Sequence, residues 1–445
     1  MSVGRVGDSG PRFQPRWQSA DAPAPTVRTT PHGKRGGAGW VSDAPGGPRT
    51  RPAGRTAGTT SPGSKPPYRV RTVAETRLQK GGPTVVSTFS GAGGSCLGFR
   101  MAGFRVLWAS EFIESARETY VANFPETPLD ARDIRKVTAA DVLEATGLEV
   151  GELDVLEGSP PCASFSSAGK REKHWGKVKK YSEGAQRTDD LFFEYARLLR
   201  GLKPKVFVAE NVAGLTKGVS KGWYLDVLDA LRAAGYVVDA RLCDAQWLGV
   251  PQTRQRVIFV GVRKDLKLKP AFPKPLPYRY SVRDAFVGLP AQALAVRTRD
   301  GRRSPALPAP TVQTHGNRKT RSELTLEGPS IGGYAVEREY DGLKQGGQSA
   351  RYFNLIRANE HAPSPAITAL GGANPGVASV THPTEARKFS IAELKRICAF
   401  PDDFKLVGTY SQQWERLGRA VPPVMMSHIA RTVADEILAK IRRKS

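Results

Sequence analysis

Cysteine is scarce in this chain, with four among 445 residues: Cys96, Cys162, Cys243 and Cys398. No two of them stand as C-x-x-C, so neither a disulfide framework nor a structural zinc site is expected, and no metal site is assigned. A cysteine that matters here is expected to be a reduced, reactive thiol in a cytoplasmic protein. Acids are short as well. The 42 Asp and Glu face 67 Lys and Arg, a net charge of +25, and the isoelectric point is near 10.1. An excess of that size favours a polyanionic partner, nucleic acid first. Long apolar runs are missing too. None approaches the roughly 18 residues of a membrane span, so no membrane partner is expected. What is present is a globular composition, 39% hydrophobic and 24% charged. The length suits about two to three domains.

The texture changes along the chain. Residues 1–67 hold 12 Gly and 11 Pro, and residues 1–80 carry 14 Lys or Arg against 4 acids. Such a segment buries too little apolar surface to offset its ordering entropy, so residues 1–80 are expected to form a disordered basic tail. It has no apolar core of signal-peptide type. Its charge suits loose, salt-sensitive contact with DNA, and equally a solvated extension with no role. Order is expected from Thr84. Strands are predicted at Thr84–Phe89, Arg105–Ala109, Asp154–Glu157, Val206–Ala209 and Arg256–Val262, with helices at Phe112–Asn123 and Leu191–Arg200. That alternation implies a parallel α/β sheet. From about 264 to 385 periodicity is lost among Pro, Gly and Arg. Helices return at Ser390–Ala399 and Pro422–Lys440, the latter with Met425, Ile429, Val433, Ile437 and Ile441 on one face. The expected division is a first unit at 81–263, a second, inserted unit at 264–385, and a segment at 386–445 returning to the first.

Four sites could carry chemistry. Phe89-Ser90-Gly91-Ala92-Gly93-Gly94 follows the first strand and opens a helix, with Glu111 at the end of the second strand. Glycines let backbone approach a ligand, and a carboxylate there can take ribose hydroxyls. The spacing departs from the dinucleotide fingerprint, which favours a smaller adenosine ligand such as S-adenosylmethionine. By itself such a turn serves structure as readily as a cofactor. Gly158-Ser159-Pro160-Pro161-Cys162 follows another strand, and its prolines fix where the thiol points. Glu210-Asn211-Val212 sets an acid at a buried strand end, where it caps, pairs or works. Gln252-Thr253-Arg254-Gln255-Arg256 places two arginines on one side of an extended chain, to clamp a base or an anion, or only to be solvated.

Taken in order, these sites resemble the DNA cytosine-5 methyltransferases. The pieces between them are similar too: Trp108-Ala109-Ser110-Glu111, Arg132-Asp133-Ile134, Asp190-Leu191-Phe192-Phe193 and Lys203-Pro204-Lys205. So are Arg387-Lys388-Phe389-Ser390, Phe400-Pro401-Asp402 and Gly418-Arg419-Ala420-Val421-Pro422-Pro423. The resemblance spans about residues 84–440. It implies a Rossmann-like α/β methyltransferase domain with a smaller irregular target-recognition domain, acting on double-stranded DNA with S-adenosylmethionine. It implies cofactor contacts from Phe89, Gly91, Gly93, Gly94, Glu111, Phe112, Asp133, Ile134, Pro161, Leu191, Arg419, Ala420 and Val421.

The implied catalytic residues are Cys162, Glu210, Arg254 and Arg256. Cys162 would add to C6 of a flipped cytosine, with Glu210 serving N3. Arg254 would hold the base through O2, and Arg256 would orient the loop. His315, Asn317, Arg318, Lys319 and Arg321 form a basic cluster suited to phosphates or base edges, or to a solvated loop. One position departs from the family: Arg419 stands where Asn is usual, so either backbone does the binding or the cofactor is held more weakly. A monomer is expected, serving a restriction–modification system with a cognate endonuclease as functional partner. An RNA cytosine-5 methyltransferase of the same fold and a catalytically silent DNA-binding relative remain alternatives at this level.

Overall fold

The structure is a computed structural model that describes residues 65–77, 81–161, 179–181, 184–186, 190–216, 220–289 and 328–443. Cys162, the basic cluster at 315–321 and residues 1–64 of the expected tail lie outside the described residues. Seven strands form the main sheet: β1 (Thr84–Thr88), β2 (Arg105–Ser110), β3 (Leu129–Asp130), β4 (Val155–Gly158), β5 (Val206–Val212), β6 (Tyr236–Asp244) and β7 (Gln255–Arg263). Their order is β3-β2-β1-β4-β5-β7-β6. The first five run parallel. The expected all-parallel sheet is corrected at one edge, where β7 runs antiparallel to both β5 and β6. The chain enters β7 through a hairpin-like return from β6, which admits only that direction.

Helices cover both faces. They include α1 (Gly94–Met101), α2 (Glu114–Asn123), α3 (Ala139–Thr146), α4 (Leu191–Leu202) and α5 (Ser220–Ala233). The returning chain adds α6 (Ile391–Ile397), α7 (Tyr410–Arg419) and α8 (Pro423–Val433). Adjacent strand residues face opposite ways. Val85, Val155, Val206 and Ile258 therefore join Leu97 of α1 and Met425, Met426 and Ile429 of α8 in one core. Val86, Leu156, Phe207 and Phe259 join Val142, Leu199 and Val227 in the other. Burial on both faces is why these strands read as continuous apolar runs.

The four-residue spacing from Met425 to Ile441 gains about 40° per step on a helix of 3.6 residues per turn. A wide π turn at Ala434–Leu438 follows α8 and takes that drift back, leaving Met425, Ile429, Val433 and Ile437 all buried.

Order begins earlier than the sequence suggested. Residues 65–77 pack on the main body: Val73 is buried in the first core, and the Tyr68 hydroxyl donates to the Arg396 carbonyl at 2.7 Å. In the region of lost periodicity, Phe272 and Val282 also enter the first core. Ile331, Val336, Tyr340 and Leu355 instead form a small core of their own. The chain comes back through a buried fork: both Arg387 terminal nitrogens donate to Glu393, at 2.8 and 2.7 Å. Glu393 also closes the capping box that starts α6 at Ser390.

Candidate active site

The sheet order reverses between β1 and β4, since the chain moves from β1 outwards to β2 and later returns to β1's other side. Ligands of open α/β sheets bind at such switch points, beyond the carboxyl ends of the strands. The Gly-rich loop, Glu111, Pro160-Pro161 and Glu210 all stand at that edge. The antiparallel β7 begins there too. Its register pairs Arg256 with Val212 and Ile258 with Glu210, so Arg256 meets the acid only because this strand runs backwards.

The loop after β1 turns through Phe89 and Gly91, both left-handed at φ 54 and 56. The Gly91 N–H donates to Glu111 Oε2 and the Ile113 N–H to Glu111 Oε1, each at 2.8 Å. Burial raises the Glu111 carboxyl above its ordinary range, and those two donors, Arg416 and Arg117 pull it back. A side chain added at Gly91 would meet only open space, whereas one at Gly94 would strike the Val421 carbonyl at 2.4 Å and approach the Ala420 methyl at 3.5 Å. The structure thus joins the first loop to the turn after α7. Arg419 ends α7 with its side chain outward, Nε donating to Glu415 at 2.8 Å. The Val421 carbonyl and the Ala420 methyl are what face the loop.

Phe112 is 39% exposed beside Glu111. Asp133 caps the turn at Ile134–Lys136 and pairs with Arg135, which also holds Asp190 at the start of α4. Leu191 has no exposed surface and packs in the second core. Ile134, at 4% exposed, is nearly sealed as well.

Glu210 is 8% exposed, and its Oε1 lies 2.6 Å from Arg256 Nε. Burial pushes its carboxyl up, while Arg256 first and Arg254 second pull it down. Arg254 is only 2% exposed. Its terminal nitrogens donate to the carbonyls of Ile367 (3.1 Å) and Gly418 (2.9 Å), and burial lowers its guanidinium to about 9. A guanidinium there still carries its charge at neutral pH. Arg256, rather than Arg254, is thus the arginine in contact with the acid. Gln252–Thr253 pairs with Ser364–Pro365 and carries Arg254 towards the returning chain, while Arg256 stays beside the acid.

Three residues had no assigned role in the sequence reading. Asn211 Nδ2 donates to the Pro160 carbonyl at 3.2 Å, fastening the proline loop to β5. Arg416 is buried and its charge bears on Glu111. Glu157 is buried in β4 beneath the Gly-rich loop. Asn211 stood in the Glu210-Asn211-Val212 motif, and Glu157 showed as an acid inside a strand; Arg416 gave no signal.

Residues 84–435 match the family model described as C-5 cytosine-specific DNA methylase. The Type II methyltransferase M.SacI of Streptomyces achromogenes is 31% identical over 391 residues, covering 79% of this chain and 93% of the relative. The Type II methyltransferase M.NgoPII of Neisseria gonorrhoeae is 30% identical over 371 residues, covering 80% and 98%. Among solved structures, a prophage-encoded protein of E. coli, described as a DNA modification methyltransferase, superposes with a TM-score of 0.59. It is 23% identical and covers 80% of this chain and 99% of that one. At that identity the likeness bears on the fold.

Proposed function

The chain belongs to the C-5 cytosine-specific DNA methylase family and is a DNA cytosine-5 methyltransferase using S-adenosylmethionine; we propose that it acts through a transient Cys162–C6 bond, modifying one specific duplex sequence for a restriction–modification system. The relatives named above are Type II methyltransferases, which supports the last part. The observation that carries the chemistry is the contact at 2.6 Å between Arg256 and the buried Glu210, whose strand β5 is tied to the proline loop.

The residues present fit the cofactor. Gly91 leaves open space at the loop crest. Each Glu111 oxygen accepts one backbone N–H and keeps a lone pair for a ribose hydroxyl. Phe112 offers an exposed ring beside it. Phe89, Gly93, Gly94, Asp133, Pro161 and the 419–421 backbone complete the proposed cradle. Bound S-adenosylmethionine supplies a methyl group on a sulfonium, which departs as a neutral thioether.

Cys162 adds to C6 of a cytosine swung out of the duplex, which makes C5 nucleophilic, and it leaves once C5 has lost its proton. Glu210, its carboxyl raised by burial, holds a proton at N3 as charge develops there. Arg256 keeps Glu210 in place and faces O2; Arg254 fixes the turn at Ile367 and the end of α7 around it. The unit at 264–385 reads the sequence. The enzyme works as a monomer, with a cognate endonuclease as functional rather than physical partner.

The test is a duplex carrying 5-fluorocytosine in the target sequence, found first by bisulfite sequencing of DNA from cells expressing the protein. A covalent adduct at Cys162 with cofactor bound is expected. No adduct, or undiminished methyl transfer by Cys162→Ala, overturns the covalent scheme.

A further inference from the structure

Glu157, third residue of β4, is 1% exposed and has no part in the scheme above. A carboxyl so deep is costly unless it is held or working. Its Oε1 accepts from Ser87 Oγ at 2.5 Å and its Oε2 from Ser95 Oγ at 2.8 Å. Ser87 Oγ is in turn 2.7 Å from Ser90 Oγ. Ser87 lies beside Glu157 in the sheet register, Ser90 stands in the Gly-rich loop, and Ser95 is the second residue of α1. One carboxyl therefore grips both stems of loop 89–94 from beneath, while Glu111 holds its crest at Gly91.

We propose that Glu157 is a positioning residue for the S-adenosylmethionine loop, setting the gap between the end of β1 and the start of α1. The inference rests on the reading of loop 89–94 as the cofactor site. Burial raises Glu157 to about 7, against the pull of Ser87 and Ser95 and with a push from Glu210. The titratable groups facing it are Cys96 from α1, Tyr195 from α4 and Glu210 from β5. In the sheet register it stands between Ser87 and Val208. Ionised, Glu157 accepts from both serines. Protonated, its own O–H has to donate, and one serine hydroxyl must turn away. The grip on the loop therefore changes near neutral pH.

The experiment titrates the full-length protein with S-adenosylhomocysteine by calorimetry across pH about 6 to 8. Glu157→Gln, Ser95→Ala and Glu111→Ala are compared with the wild type, with thermal melts as the check on folding. Wild-type affinity is expected to change around the Glu157 titration, and that of Glu157→Gln to be flat with pH. Glu157→Gln and Ser95→Ala should each bind up to about tenfold more weakly at pH 8. In turnover, Glu157→Gln should raise the cofactor KM and leave kcat nearly unchanged, a split that general loosening would not give. Ser95→Ala leaves the buried acid in place, so it still tests the contact if Glu157→Gln fails to fold. Wild-type affinity and pH profile in the folded variants would overturn the inference. Glu111→Ala separates the two failures: weak binding there with normal binding in the others sinks Glu157 alone, while normal binding in Glu111→Ala sinks the loop as the cofactor site.

Discussion

Glu210 and Glu157 are two buried acids whose environments set them to different tasks. Glu210 is raised by burial yet leans on Arg256. Replacing it with Gln removes the proton it delivers, so kcat is expected to fall by about 100-fold or more in a single-turnover assay, with DNA affinity little changed. On the proposed scheme the protonated form of Glu210 works, so wild-type kcat should also decline as pH climbs past its raised titration. Glu157 makes a stability prediction. Its ordinary value is 4.5 and its folded value about 7. The unfolded chain therefore releases this proton first as pH rises. The stabilisation is full below about 4.5 and is lost by about 7, on the order of 3 kcal/mol. Urea melts at pH 5 and 8 should show the wild type losing more stability than Glu157→Gln over that interval. Equal losses would mean the acid does not titrate there.

At the scale of elements, the antiparallel β7 and the turn at 367–372 decide what the site becomes. That turn is held by three buried donors from elsewhere: Arg254 to the Ile367 carbonyl, Trp414 Nε1 to Thr368 at 2.8 Å, and Lys388 to the Gly371 carbonyl. Trp414→Ala leaves a large cavity under it and should cost about 3–5 kcal/mol in denaturant melts. Arg387→Ala strands the fully buried Glu393 and undoes the fork at the start of α6; a similar loss of about 3–5 kcal/mol is expected. The sequence made the strands around Val85, Leu156, Phe207 and Phe259 legible because each is built round adjacent apolar residues. It missed α3, α5, β6 and α7, whose mixed polarity makes sense only once their buried sides have partners. Leu191 was legible as helix but not as core, since a motif position does not say which way a side chain points.

For the whole molecule, charge is the dominant quantity. A net +25 predicts DNA affinity that falls steeply with salt. Removing residues 1–60 takes away nine Lys or Arg. Should the tail touch phosphates, the truncated protein will show a shallower slope of log affinity against log salt, and an unchanged slope would make the tail a bystander. Residues 65–77 are to be kept in that test, because Val73 and Tyr68 anchor them to the body.

The sequence alone determined which residues could do chemistry and in what order they come, because an acid, a thiol or a glycine run is visible wherever it lies in the chain. It also determined the α/β class, through apolar strands alternating with helices, and the polyanionic partner, through charge. The tertiary structure decided which arginine stands by Glu210, since that depends on the direction of β7 and on where the returning chain offers carbonyls. It decided that Arg419 turns outward while the next two residues face Gly94. It also gathered Ser87, Ser90 and Ser95 around Glu157, from a strand end, a loop and a helix start. Contacts between residues far apart in sequence follow from packing, and packing has no local signature.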